Sequence, residues 1–164
     1  MKDWADEHVD LWSAELPDLD RRVEGITVRL HALARYLDRH RDAVLAEYGL
    51  QWWEFKTLHM LRRGGTPYRA TPGELARQLR MSAAALTNRL DALERRGYVE
   101  RSNDPDDRRK VVATLTPAGN EIWERGIGEI QTVEQELIHH LGSSDRIRLE
   151  ALLRRLILAT DNSS

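Results

Sequence analysis

The sequence predicts a mainly α-helical fold interrupted by one β-hairpin, and three observations predict it. Apolar residues recur at steps of three and four along most of the chain, the period of helices with one buried face. Two short segments, 98–102 and 111–115, read as strands on either side of a turn-forming Asp-Pro-Asp. Pro17, Gly49, Gly64-Gly65, Gly97 and Gly142 stand between the periodic stretches, where helices must end.

Taken in order, residues 3–16 space Ala5, Val9, Trp12 and Leu16 by four, three and four, an amphipathic helix that Pro17 interrupts. Leu19, Val23, Ile26, Leu30, Leu33 and Leu37 follow at 4-3-4-3-4, a narrow apolar seam suited to pack on other helices. That helix ends near Tyr48-Gly49-Leu50, and another runs over 52–63. In Thr71-Pro72-Gly73-Glu74, threonine is the N-cap, proline the first helical residue and glutamate the third, which is a capping box. The short helix it starts turns at Arg80-Met81. Ser82 then caps a helix over 82–96 whose Leu86, Leu90 and Leu93 form one stripe. Two short helices joined by a tight turn and followed by a hairpin make a winged helix-turn-helix. Thr116-Pro117 repeats the cap and starts a long helix to about residue 140, striped by Trp123, Ile127, Ile130, Val133, Leu137 and Leu141. A last helix carries Leu149, Leu152, Leu153 and Leu156. The expected plan is an extra N-terminal helix at 1–17, a dimerisation helix at 18–50, the winged helix-turn-helix at 51–116, and C-terminal dimerisation helices at 117–164.

Composition narrows the class. With 164 residues, 41% hydrophobic and 32% charged, the chain can bury a core. No apolar run approaches the roughly 20 residues that span a bilayer, and Met1-Lys2-Asp3-Trp4-Ala5-Asp6-Glu7 is acidic where a signal peptide is basic, so a cytoplasmic protein is expected. The absence of cysteine excludes disulfides and thiol redox switches. Residues 62–114 hold 12 Lys or Arg against 7 Asp or Glu, a net +5, and the remainder holds 13 against 20, a net −7. A basic middle between acidic arms points to one face made for a polyanion. The six histidines have no metal-ligand spacing, and no glycine-rich phosphate loop or nucleophile motif is present. Neither an enzyme nor a bound cofactor is expected.

The chemistry concentrates on the helix over 82–96. With Leu86 facing the core, Ala84, Thr87, Asn88, Asp91 and Arg95 fall on the outward side. Asparagine can pair bidentately with adenine, and alanine or a threonine methyl can meet the methyl of thymine. Ser82 and Arg95 suit phosphates. At the hairpin tip, Arg108 and Arg109 follow three aspartates. An arginine there can enter a narrow, A·T-rich minor groove, and Asp107 can hold the Arg109 guanidinium. A solvated helix face and a merely polar hairpin are the plain alternatives.

Thr71-Pro72-Gly73-Glu74-Leu75-Ala76, Thr87-Asn88-Arg89-Leu90, Asp104-Pro105-Asp106-Asp107-Arg108-Arg109 and Leu115-Thr116-Pro117-Ala118-Gly119 together resemble the MarR family of bacterial transcriptional regulators. Asp107-x-Arg109 shortly before Leu115-Thr116 is similar to that family's wing signature. The resemblance implies a homodimer whose terminal helices interlock and whose two winged helices straddle a palindromic operator in double-stranded DNA. Its expected function is a ligand-responsive repressor, and a winged helix that binds protein rather than DNA is the alternative. Trp12 with Pro17-Asp18-Leu19-Asp20, and Leu61-Arg62-Arg63, resemble the family's urate-responsive branch. By that resemblance, Trp12, Arg89 and Arg101 match a tryptophan and two arginines that contact an anionic purine. Lys56 stands where the branch carries an acid, so a small anionic or aromatic effector is expected rather than urate itself. Dimer packing by Trp12 and structural ion pairs at the arginines are the other reading of the same residues.

Overall fold

The computed structural model describes residues 2–104 and 107–161. Helix α1 (Trp4–Glu15) is capped by Asp3, whose carboxylate accepts from the Ala5 and Asp6 amides while Asp6 accepts from the Asp3 amide. It lies along α2 (Arg21–Glu47), burying Ala5 and Val9 beside Gly25. Charges fasten its outer side: Arg29 Nη2 donates to Asp3 at 2.7 Å and to Asp6 at 3.0 Å, and His8 meets Glu24 at 2.9 Å. Gly49, at φ 61°, ends α2 with a left-handed turn that a side chain would strain.

Helix α3 (Trp52–Arg63) follows, then β1 (Arg69–Ala70), α4 (Pro72–Gln78), α5 (Ala83–Arg95), β2 (Val99–Asn103) and β3 (Val111–Leu115). The sheet is antiparallel in the order β1-β3-β2, with Arg69 opposite Thr114 and Val99 opposite Leu115. Strand β1 is an addition to the expected hairpin. Two residues are too short for an alternation signal, and only pairing with β3 defines them. The hairpin register places β2 one residue later than the sequence pattern does.

Leu58, Leu61, Leu75, Leu86, Leu90 and Leu93 pack with Val99, Ala113 and Leu115 into the core of this unit. Burying each leucine is worth about 1.5–3 kcal/mol against leaving it in water. A second core joins Leu45, Leu50 and Phe55 to Ile130 of α6 (Pro117–His139). Tyr98, Ile122 and Trp123 touch both cores, so the two halves share a wall. Polar groups tie the same joint. Arg62 lies over the Tyr68 and Trp123 rings and donates to Asn120 at 2.6 Å. Buried Glu54 accepts from Arg96 at 2.8 Å, and Arg96 also donates to the Gly49 carbonyl.

The expected seam on α2 is not covered within the chain, since Val23, Ile26, Leu30 and Leu33 are exposed. Helix α7 (Ser143–Asp161) buries none of its residues. No helix among the described residues is long and apolar enough to cross a membrane.

Candidate nucleic-acid interface

Local sequence sets the geometry of α4 and α5. Thr71 Oγ1 accepts from the Glu74 amide at 3.3 Å, and the Glu74 carboxylate accepts from the Thr71 amide at 2.8 Å, so the capping box is complete. At the far end Arg80 adopts φ 52° and the Met81 amide donates to Ala76 O at 3.0 Å, which makes the tight turn. Ser82 Oγ then accepts from the Ala85 amide at 3.2 Å. Its hydroxyl proton stays available to a phosphate.

Leu86, Leu90 and Leu93 turn inward, and Ala84, Thr87, Asn88 and Arg95 are exposed on the other side of α5. Thr87 donates its hydroxyl to Ala83 O at 3.0 Å, so its methyl is what it offers a partner. Asp91 departs from the expected outward set. It is half-buried and ion-paired to Arg101, because β2 passes beside that flank of the helix. A single-helix projection contains no β2 and cannot show this.

The wing closes through the Asp104 amide to Lys110 O and the Lys110 amide to Asp107 O, both at 2.8 Å. Pro105 and Asp106 of its turn lie outside the described residues. Asp107 Oδ1 accepts from the Arg109 amide at 3.2 Å and from its Nε at 3.4 Å, and Lys110 Nζ lies 3.6 Å from Oδ2. The Arg109 side chain is 93% exposed, and Arg108 is exposed beside it. One carboxylate therefore orients a cluster of cations that remain open to a partner.

The four residues assigned to an effector stand in different settings. Trp12 is exposed on α1, its ring 6.3 Å from that of His8. Lys56 is exposed on α3. Arg89 is half-buried with its guanidinium 5.4 Å from the Trp53 ring centre, and among the described residues no carboxylate pairs with it. Arg101 is engaged by Asp91 and Glu94, and it holds the Glu94 carboxyl below the usual range. Among the described residues no hydrogen bond, ion pair or ring contact joins these four side chains.

A cavity of about 190 Å³ lies elsewhere, among α2, α3 and α6. Leu37, Trp52, Phe55, Ile127 and Ile130 line it, with Arg41 stacked 4.1 Å over Trp52 and His59 at its wall. Trp123 Nε1 donates to His59 Nδ1 at 3.3 Å, and burial, with Arg63 nearby, lowers the pKa of His59. Sequence reading missed this site because its residues come from three helices, with no spacing to link them.

A capped helix pair with a solvent-facing second helix and a cation-tipped wing defines a winged-helix DNA-binding regulator. The sequence profile of the MarR family matches residues 48–110, from the end of α2 to the wing. The HTH-type transcriptional regulator PecS of Dickeya dadantii is 33% identical over 148 residues, 90% of this chain and 89% of that protein. The multiple antibiotic resistance protein MarR of Escherichia coli is 32% identical over 141 residues, 85% of this chain and 96% of that protein. The crystal structure of a mutant E. coli MarR complexed with operator DNA matches with a TM-score of 0.64 at 31% identity, covering 85% of this chain and 98% of that one. The chain belongs to the MarR family of transcriptional regulators. These relatives are DNA-binding regulators, not enzymes.

Proposed function

We propose that this chain is a homodimeric, ligand-responsive repressor that reads a palindromic operator. One observation carries the DNA reading: a single winged helix presents an outward Asn88 on α5 and an almost fully exposed Arg109 at the wing. Asn88, with Ala84 and the Thr87 methyl, reads base edges in the major groove. Ser82 and Arg95 hold phosphates, and Arg108 and Arg109, steadied by Asp107, meet the backbone and minor groove. The similar MarR bound to operator DNA supports this reading over a protein-binding module, and the similar repressor NicR of Pseudomonas putida supports repression.

The test is binding to the DNA beside its own gene. A dimer should protect two half-sites about one helical turn (roughly 10 base pairs) apart, with affinity falling steeply as salt rises. Salt-insensitive binding, or none, would favour the protein-interaction reading.

The effector is assigned by resemblance to the urate-responsive branch, at Trp12, Lys56, Arg89 and Arg101. A half-buried Arg89 beside Trp53, with no carboxylate among the described residues paired to it, supports an anionic aromatic ligand there. The cavity among α2, α3 and α6 favours a second placement. Titrating aromatic acids against the operator complex separates the two: Arg89→Ala should abolish release in the first, Phe55→Trp (filling the cavity) in the second.

A further inference from the structure

Helix α5 carries charge that DNA would repel. Asp91 follows Asn88 by three residues and precedes Arg95 by four, so it adjoins both on the helix surface. Glu94 lies three residues further on the same flank, near the helix C-terminus, where a carboxylate opposes the macrodipole. Left free, both would repel phosphates, and Asp91 would draw Arg95 into an i,i+4 ion pair on its own helix.

Neither carboxylate is free. Arg101 reaches back from β2, its Nη2 2.5 Å from Asp91 Oδ1 and 2.6 Å from Glu94 Oε2, its Nε 3.0 Å from the same Glu94 oxygen. The Arg101 amide also donates to Glu94 Oε1 at 3.2 Å, so Glu94 grips both the main chain and the side chain of one residue. The Arg101 side chain is only 28% exposed, which limits screening by solvent. Among the described residues Arg95 has no carboxylate partner and is exposed.

We infer that Arg101 is a positioning residue for DNA reading: it withdraws the carboxylates of Asp91 and Glu94 from the duplex and leaves Arg95 to the phosphates. This rests on α5 being the helix that reads DNA. The effect is electrostatic, so removing the carboxylates should stand in for Arg101.

Fluorescence anisotropy with the duplex beside the gene, and with a scrambled duplex, over a salt series tests this. Arg101→Gln should weaken operator binding by about tenfold or more, because two bared carboxylates face the polyanion. The triple variant Arg101→Gln, Asp91→Asn, Glu94→Gln should return to within about threefold of wild type, since the repulsion is gone with the brace. Wild-type affinity in Arg101→Gln, or a triple variant as weak as it, overturns the inference. If Arg101→Gln shows no cooperative thermal melt, the double variant Asp91→Asn, Glu94→Gln decides. It should bind at least as tightly as wild type, and weaker binding overturns the proposal. If wild type binds neither duplex, the DNA reading itself fails and takes this inference with it; binding by wild type with unaltered variants sinks this inference alone.

Discussion

At the scale of single residues, the proposed DNA reading gives Asn88 the bases and Arg109 the groove, and both side chains are exposed. Asn88→Ala should relax base preference at one position per half-site, costing roughly 1–3 kcal/mol against the correct sequence. Arg109→Ala should weaken binding most on sites with A·T-rich flanks, where the narrow groove concentrates negative potential. Selection from a randomised duplex pool checks both; an equal loss on every sequence for Asn88→Ala would mean that it holds backbone. His59 makes a separate prediction about stability. Burial, then Arg63, lowers its pKa below the ordinary 6.5 in the folded chain, so the unfolded chain binds the proton more readily. Its contribution is present above that ordinary value and is lost as pH falls towards the folded pKa. Urea midpoints between pH 7.5 and 5.5 should therefore decline, and His59→Gln should flatten part of that slope. A slope unchanged in His59→Gln would assign it to other groups.

At the scale of elements, the turn after α5 is where the wing, α5 and α6 meet. Thr116 Oγ1 donates to Gly97 O at 2.7 Å and the Thr116 amide to Tyr98 O at 3.1 Å, so the cap of α6 is hooked onto that turn. One turn into α6, Gly119 lies so close that a Cβ there would stand 2.0 Å from Tyr98 O. The obstacle is backbone, which cannot swing aside as a side chain would. Gly119→Ala should destabilise by at least the 1–3 kcal/mol typical of overpacking, despite alanine's better helix propensity. Gly73→Ala is the control, since nothing lies within 4 Å of a Cβ there. Equal urea midpoints for the two variants would contradict the close packing of α6 on the turn.

At the scale of the whole molecule, the distribution of apolar surface argues for a partner copy. Val23, Ile26, Leu30 and Leu33 on α2, and Leu152, Leu153, Leu156 and Ile157 on α7, are exposed in the single chain. Monomeric proteins rarely leave such contiguous apolar surface in water. Sedimentation should give twice the 19.0 kDa chain mass at micromolar concentration. Replacing Leu153 and Leu156 by Glu should yield monomer and remove operator binding together, because a lone winged helix reads only one half-site. A wild-type monomer that still bound the palindrome tightly would overturn this.

The helices, the capping box at Thr71, the turn before Ser82 and the hairpin were legible in the sequence because each is encoded within a few residues. Caps act over one turn, and a periodic stripe reports a buried face whatever buries it. The outward face of α5 was legible for the same reason, at Ala84, Thr87, Asn88 and Arg95. Contacts between distant segments were not. Arg101 pairs with Asp91 and Glu94 because β2 runs beside α5, and Glu54 meets Arg96 across 42 residues. Strand β1 exists only by pairing with β3, and the cavity by the approach of three helices. The sequence by itself determined which faces are apolar and where each helix begins and ends, since those depend on local hydrogen bonding and on periodicity. The tertiary structure alone decided which charges are neutralised and which stay open to a partner, since Coulomb energy depends on distance in space and residue spacing does not report it.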